Sequence, residues 1–565
     1  MLVKVTKSGP RRYVQLVEAY RDLHGAPKQR TVATLGRLDQ LNDSALDSVI
    51  AGLLRVTGRT APQPVAPPKI EFESAREFGN VWALTELWNS LGFDRLRPLF
   101  RRTRHAIDVE ALVRVMVFNR LCDPDSKLDV LRWLDTVCMP ELDGLEVEHQ
   151  HLLRAMDALV DQQEAVDQVL SGLLRPLIDQ DLAVVFYDMT TIRTEGLSEQ
   201  DEDLRRFGMS KEGVIARQVM LGVVQTAEGL PLYHEVFEGN TAEVSTLKPT
   251  IQKILARYPV KRVIAVADRG SLSIDNLQEL QAIKLPGGAP LEFILAVPGR
   301  RYSEFLDLLA PLQEHYQQAQ DEVLAQVPWN ELRLVVAHDP KAAAQASAKR
   351  DAQIQTLQEQ ALRWVGKLED QDRGKTARGR KLSDGSARAR FYHEVCEAHL
   401  GRIVRVDLKS ELFSYSIDEA ALEHARMMDG KLLLVTNTGD LSNAEVVRRY
   451  KALADIERGF RVLKSEIEIG PVYHRLPQRI RAHAAICFMA LILHRVMRTR
   501  LKVGQTPLSP EKALNKLRRI QHLKVVLNES APISGLSSIT QEHQNILAAL
   551  NIKKPGLHDT QLKLL

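Results

Sequence analysis

Between Asp181 and Val297 the hydrophobic pattern changes its period, and that change constrains the fold more than any other feature of the chain. Upstream, from Ser74 to about Leu174, apolar residues recur at helical spacing. Val81, Leu84, Leu87, Trp88 and Leu91 make one stripe, and Val109, Leu112, Val113, Met116 and Val117 make another. From Asp181 onward, short apolar runs predict strands at Leu182 to Tyr187, Gln218 to Val224, Leu232 to Phe237, Val263 to Ala267 and Phe293 to Val297. Helical spacing at Thr246 to Ala256 and Ile274 to Ile283 separates the last three. The order strand-strand-strand-helix-strand-helix-strand predicts an α/β fold: an RNase H-like catalytic domain, its mixed sheet carrying helices.

The flanks divide the chain further. Tyr13 to Arg21 and Gln29 to Leu35 alternate around His24-Gly25-Ala26-Pro27, which predicts a small N-terminal β-hairpin module over 1–61. Pro62, Pro64, Pro67 and Pro68 stiffen a linker at 62–68, because proline lacks the amide a helix or central strand needs. A helical domain is expected over 69–174, and the first part of the α/β core over 175–300. Tyr302 to about Arg390 reads as long, helical and charged, and Tyr392 to Ser414 as strands, so 301–425 is taken as a large insertion. Leu432 to Val435 restores a core strand, and Asn443 to Ile467 reads as one helix with Ser442 as N-cap and Glu445 closing a capping box. These make the second core part, 426–500, followed by a C-terminal helical region, 501–565.

Composition excludes several classes. With 44% hydrophobic and 26% charged residues the chain is that of a folded soluble protein. The N-terminus has no export signal, and the apolar run Ala484 to Leu493 is too short to span a bilayer and reads as a buried helix, so a cytoplasmic, nucleoid-associated protein without membrane partners is expected. Cys122, Cys138, Cys396 and Cys487 have no zinc-site spacing and read as reduced packing residues. Gly374-Lys375-Thr376 ends like a P-loop, but Glu369 stands where its first glycine belongs, so no nucleotide is expected. The net charge of +4 says little; the clustering of cations at Arg101, Arg102 and Arg104 and from Arg475 to Lys502 says more, and by charge alone it reads equally as a solvated helix face or as a DNA contact.

The chemistry rests on carboxylates. Asp188 ends the first predicted strand in VVFYDMTT and Asp268 ends the fourth in VIAVADRG, so both emerge at sheet ends where hard divalent cations could take their oxygens. In YKALADIERGFRVLKSE, Tyr450, Glu457 and Lys464 recur every seven residues, a spacing that drifts only about 20° per heptad around a helix. They are expected to share a face. Glu457 would complete the metal site, and Lys464, two turns on, would bind phosphate. His234, His393, His474 and His483 read as structural, with DNA contact open for His474 and His483.

These motifs resemble the DDE transposases of bacterial insertion sequences, of the insertion-sequence-four type whose final motif is Tyr-x2-Arg-x3-Glu-x6-Lys. Tyr450, Glu457 and Lys464 match three of its four fixed positions, while Leu453 stands at the arginine, for which Arg449 or Arg461 could substitute. YDMTT at Asp188, FEGNTAE from Phe237, ADRG at Asp268 and DGKLLLVTNT from Asp429 add to the resemblance, as does the LGRL that ends the N-terminal hairpin. The resemblance implies two Mg2+ ions, with Mn2+ able to substitute, held by Asp188, Asp268 and Glu457. It implies cleavage and strand transfer at double-stranded DNA ends bearing terminal inverted repeats, joining to target DNA, and a homodimer on paired ends. An RNase H-like nuclease without strand transfer, and a non-catalytic DNA-binding protein of the same fold, are the competing readings; the intact carboxylates oppose the second.

Overall fold

The computed structural model describes residues 1–41, 43–59, 69–101, 108–178, 183–196, 198–199, 202–209, 215–258, 261–267, 274–285, 287–374, 382–527 and 531–556; at 43, 183, 243, 244, 274–276, 279, 300 and 455–457 the backbone alone is described. It separates into two compact units, Met1–Glu71 with Val526–Ala531, and Phe72–Val525 with Pro532–Leu565.

In the first unit, β1 (Leu2–Ser8), β2 (Arg11–Arg21) and β3 (Pro27–Arg37) form an antiparallel sheet, and α1 (Asp43–Val56) follows. The expected hairpin is thus the second half of a three-stranded meander. Its turn is tied by Asp22, whose Oδ1 accepts from the amides of His24 and Ala26, both at 3.0 Å, while Gly25 takes the left-handed φ of 81°. The first strand escaped the sequence reading because nearly all of it is solvent-exposed and it carries no apolar stripe. The proline linker at 62–68 lies outside the described residues.

The strand β4 (Ile70–Glu77) runs from the last residues of the first unit into the second, which continues with the helices α2 (Gly79–Leu91), α3 (Arg97–Phe100), α4 (Val109–Cys122), α5 (Asp129–Thr136), α6 (His149–Asp161) and α7 (Gln163–Leu174). Asp108 caps α4 by accepting from the Glu110 amide at 2.9 Å. Almost every residue of α4 is buried, so even Glu110 and Arg114 face inward, where Glu110 pairs with both Arg114 and Arg97.

The sheet that follows contains β5 (Ala183–Arg193), β6 (Arg206–Met209), β7 (Ile215–Thr226), β8 (Pro231–Glu238), β9 (Val263–Ala267) and β10 (Glu292–Ala296), with α8 (Glu243–Arg257) and α9 (Ile274–Gln281) between its later strands. β5, β9 and β10 run parallel; β7 lies antiparallel to β5, and β8 and β6 pair along the outer edge of β7. Beyond β10 the helices α10 (Leu306–Leu309) and α11 (Gln313–Gln317) precede β11 (Val323–Trp329) and β12 (Leu332–His338). The stretch from Tyr302 to Arg390 is therefore not wholly helical. Its hairpin turns at Asn330, whose φ of 53° asparagine tolerates, and β12 then joins the main sheet.

The rest of the insertion builds its own small core. In α12 (Pro340–Asp372) Ile354, Leu357 and Ala361 pack on Ala387, Phe391 and Val395 of α13 (Asp384–Glu397), with Phe413 and Leu422 closing the cluster. Tyr392 to Glu397, read as strand, is thus helix. The short strands β13 (Val404–Val406) and β14 (Tyr415–Ile417) come later, then α14 (Glu419–Met428).

β15 (Lys431–Thr436) slots antiparallel between β10 and β12, giving a sheet ordered β11-β12-β15-β10-β9-β5-β7-β6, with β8 on β7. Where one helix was expected over Asn443 to Ile467 there are two, α15 (Asn443–Lys451) and α16 (Ala454–Ser465). Ser442 caps α15 by accepting from the Glu445 amide at 3.2 Å, but the Glu445 carboxylate bonds Arg448 and Arg449 rather than closing a capping box. α17 (Pro477–Val503) follows, then α18 (Pro510–Leu517), β16 (Gln521–Leu527), β17 (Ile533–Leu536) and α19 (Gln541–Ala549). The C-terminal region is thus not all helical: β16 and β17 form a hairpin that pairs with β4. α17 is long and apolar enough to cross a membrane, yet 89% of its apolar window is buried inside the fold. It is the central core helix, packed against α4, α6 and β8.

Candidate active site on the central sheet

β5 passes through the middle of the sheet, and successive side chains of a strand point to opposite faces. Tyr187 and Met189 point to the α8 face: the Tyr187 hydroxyl lies 2.5 Å from Thr246 Oγ1, and that hydroxyl 3.0 Å from Met189 Sδ. Phe186 and Asp188 point the other way. Asp188 does not end the strand, as the sequence suggested, since β5 continues five residues to Arg193. It sits mid-strand at 7% exposure, with Oδ1 accepting from the Met189 amide at 2.7 Å. The apolar run ended at Tyr187, so the polar continuation Thr190-Thr191, buried against the interior, was not recognised as strand.

Register identifies what covers that face, because directly paired residues on neighbouring strands share a face. Asp188 pairs with Val223 of β7, and Val223 with His234 of β8; Phe186 pairs with Gln225. His234 stacks on Phe488 of α17 at 4.4 Å between ring centroids. A Cβ added to Gly459 of α16 would lie 2.6 Å from Gln225 Nε2. Helices α16 and α17 therefore both lie on the Asp188 face, and α16 also packs against β5 itself. Gln225 and Gly459 were missed in the sequence, although an isolated glycine inside a helical pattern is a signal of close approach.

On the other side, β9 runs parallel to β5 with Tyr187 opposite Ala267. Asp268 follows Ala267 directly in sequence and lies outside the described residues. Glu457 lies in the first half of α16, where the backbone alone is described. The structure thus brings the Asp188 strand, the strand preceding Asp268 and the helix bearing Glu457 together. Among the described residues no group of three His, Cys, Asp or Glu side chains forms a metal site.

The four residues expected to contact DNA are divided by the break at Ala452 and Leu453. Tyr450 and Arg449 belong to α15, and Arg461 and Lys464 to α16, so Tyr450 does not share one continuous helical face with Glu457 and Lys464. Tyr450 is half-buried against the core. Arg449 is largely buried, its Nε 2.7 Å from Glu445 Oε1, whereas Arg461 is exposed and Lys464 half-buried. Of the basic segment Arg475 to Lys502, much serves the fold: Arg479 pairs with Asp157 at 2.9 Å, Arg495 is 6% exposed, and Arg500 donates to the Leu550 carbonyl at 3.0 Å. The reason is that the apolar α17 lies in the core and carries these residues inward with it.

His234, His474 and His483 are held neutral, whereas His393 stands exposed beside Glu397. Burial pushes His234 and His474 down to about 3 and His483 well below its ordinary value. His483 Nε2 lies 2.8 Å from the Ile469 carbonyl in the interior. The four cysteines are free; Cys138 and Cys487 are buried, whereas Cys396 is exposed. Of the P-loop-like triplet only Gly374 is described, ending α12 with φ 77°.

Two family models match the chain: the N-terminal domain of IS1634 family transposases over residues 2–65, and the transposase DDE domain over residues 179–493. The second covers more than half of the 565 residues, and the chain belongs to the DDE-domain transposases. It is a DNA transposase of an insertion sequence, an enzyme, and membership implies dependence on a divalent metal. Among solved structures, piggyBac transposase in a synaptic complex with hairpin DNA is similar at 8% identity over 78% of either chain, with a TM-score of 0.36. The Drosophila P element transposase in a strand transfer complex is similar at 12% identity over 77% of this chain and 97% of the other, with a TM-score of 0.20. Neither likeness is close enough to bear on the fold or the site. No curated protein matches.

Proposed function

We propose that this transposase cuts and rejoins DNA at the inverted-repeat ends of its element, using Asp188, Asp268 and Glu457 to hold two Mg2+ ions, for which Mn2+ can substitute. The observation that carries this reading is the sheet: three antiparallel strands, β8, β7 and β5, continue into two parallel ones, β9 and β10, with α16 lying on the Asp188 face. That order supports an RNase H-like core, with the segment between β10 and β15 as its insertion. Asp188 is a nearly buried carboxylate, and hard divalent cations take such oxygens as ligands. When bound, the ions supply Lewis-acid activation of the attacking and leaving oxygens of an in-line phosphodiester displacement.

The chain's own residues orient the DNA. Lys464, seven residues beyond Glu457 on α16 and roughly 10 Å farther along it, is assigned to phosphate positioning. Arg461, exposed on the same helix, is the better substitute for the motif arginine, because Arg449 is already bonded to Glu445. Tyr450 is retained as a DNA contact, as are a homodimer on paired ends, joining to target DNA, a cytoplasmic, nucleoid-associated setting, and DNA binding by the N-terminal module and by the helices from α2 to α7.

The test is cleavage of terminal DNA by Asp188→Asn, Asp268→Asn and Glu457→Gln. Each is expected to abolish cutting while leaving end binding largely intact; any one that cuts at the normal rate leaves the site. Activity is expected to vanish in EDTA and return with Mg2+ or Mn2+. Lys464→Ala is expected to weaken binding and cutting without moving the metal concentration for half-maximal activity.

A further inference from the structure

Away from the carboxylates, the described fold contains a cavity of about 810 Å3 between the α4–α5 connection and the segment leading into α17. Three nitrogens of residues that line it are buried without a hydrogen-bond partner: Lys127 Nζ, Arg120 Nε and His483 Nδ1. Lys127 is only 5% exposed and Arg120 4%; Arg120 Nη1 donates to the Glu468 carbonyl at 3.1 Å and Nη2 to the Asp125 carbonyl, which leaves its Nε and the Lys127 ammonium without partners. A buried cation is costly unless something pairs with it. The groups acting electrostatically on Lys127 are Arg120, which repels its charge, and the Cys487 thiol; no carboxylate is among them. Burial, with Arg120 adding to it, pushes the Lys127 ammonium down to about 7, as expected of a cation without its counter-ion.

The carboxylates around the cavity are Asp125, Asp129 and Glu468. Asp125 accepts from the Ser126 amide at 2.6 Å and Asp129 from Ser126 Oγ at 2.6 Å, and Glu468 is exposed to solvent. The opening also carries apolar surface, with Leu128 54% and Tyr473 68% exposed. Its far wall is tied to the catalytic sheet: the Val472 amide donates to the Arg193 carbonyl and the Glu195 amide to the Val472 carbonyl, both at 2.9 Å. Arg193 ends the strand that carries Asp188, and the five residue steps from one to the other span roughly 17 Å of strand. That is about five base pairs of B-form DNA.

We propose that this cavity is a phosphate pocket that takes a backbone phosphodiester of bound DNA, with Lys127 Nζ and Arg120 Nε as its donors. The proposal rests on the transposase reading and deepens it. Phosphate suits the donor set, since both cations present N–H groups and no acceptor. The volume left over accommodates the attached sugar and base against Leu128 and Tyr473. The pocket would hold the strand in register from a few base pairs away, without touching the reacting phosphate.

The experiment measures binding of the full-length protein to duplex DNA carrying an element end, as a function of salt, together with urea denaturation. Lys127→Met is expected to weaken binding about tenfold and to lower the salt slope by about one, while resistance to urea is unchanged or higher, because an unpaired buried charge is gone. Leu128→Glu, at an exposed position, provides a second reading: a negative charge at the mouth is expected to weaken end binding with the fold intact. Inorganic phosphate is expected to raise the melting temperature of the wild type but not of Lys127→Met. Unchanged DNA affinity and salt slope in both variants overturn the proposal, even where phosphate still stabilises the protein, because the pocket would then serve a free anion. If the wild type binds no element-end DNA, the transposase reading itself fails; the phosphate arm then decides alone, a shift lost in Lys127→Met supporting an anion pocket and no shift excluding one.

Discussion

The contact between Gly459 and Gln225 fixes the Glu457 helix to the sheet, and Gly459→Ala measures how tightly. The new Cβ would stand 2.6 Å from Gln225 Nε2, 3.0 Å from its Oε1 and 3.1 Å from Arg495 Nη2. Gln225 is fully buried, so its amide cannot swing into solvent to make room. Left to intrinsic propensity, alanine would stabilise the helix by about 1 kcal/mol over glycine. Forcing a methyl into a packed interior costs about 1–3 kcal/mol. The second effect wins wherever α16 cannot retreat, giving a net loss of up to about 2 kcal/mol.

Gly366 supplies the comparison within the same chain. It lies in α12 with nothing within 4 Å of a Cβ, so Gly366→Ala is expected to stabilise by about 0.5–1 kcal/mol. The same substitution in two helices should thus change the urea midpoint in opposite directions. Cleavage provides the second reading, since α16 must shift away from the sheet to admit the methyl, and a displacement approaching 1 Å at a catalytic group can cost about 100-fold. Gly366→Ala should cut normally. A Gly459→Ala protein that is as stabilised as Gly366→Ala and cuts terminal DNA at the normal rate refutes the packing argument.

Asp203→Asn is expected to cost about 3–5 kcal/mol in urea denaturation, because it leaves Arg205, fully buried and 2.8 Å from Asp203, without its counter-charge; a cost below 1 kcal/mol would show that water or Ser198 satisfies the guanidinium. Stability should also fall in acid through the buried histidines: His234 and His474 are held neutral, down to about 3, so their contribution is whole above the unfolded value of about 6.5 and is lost as pH falls toward the folded one. A urea midpoint that stays flat from pH 7 to pH 4.5 would contradict that burial.

The catalytic sheet was legible in outline because its strands are buried on both faces and read as continuous apolar runs; Val263 to Ala267 was predicted to the residue. Misreadings arose where polarity and burial diverge. β5 was cut short at Asp188 because Thr190 and Thr191 look like turn residues, yet both are buried in the sheet. β12 was passed over although LRLVVAH is as apolar as the recognised strands, because the charged sequence around it suggested one long helix. The basic stretch after Arg475 suggested a DNA-facing surface, and local charge gave no sign that the apolar side of α17 would draw Arg495 into the core.

The heptad Tyr450, Glu457, Lys464 shows where pattern and geometry separate. Spacing alone places all three on one side of a continuous helix, but the chain breaks at Ala452 and Leu453, so only Glu457 and Lys464 keep the relation that the spacing implies. Nothing in the residues announces the break, since alanine and leucine are the strongest helix formers. What the short α16 gains is freedom of position. Helix α15 packs on β9, β10, β11 and β12, while α16 packs on β5 and α17. Gly459 thus seats α16 against Gln225 on the Asp188 face while α15 keeps its own contacts on β9 and its neighbours, so the two helices are held by different parts of the sheet.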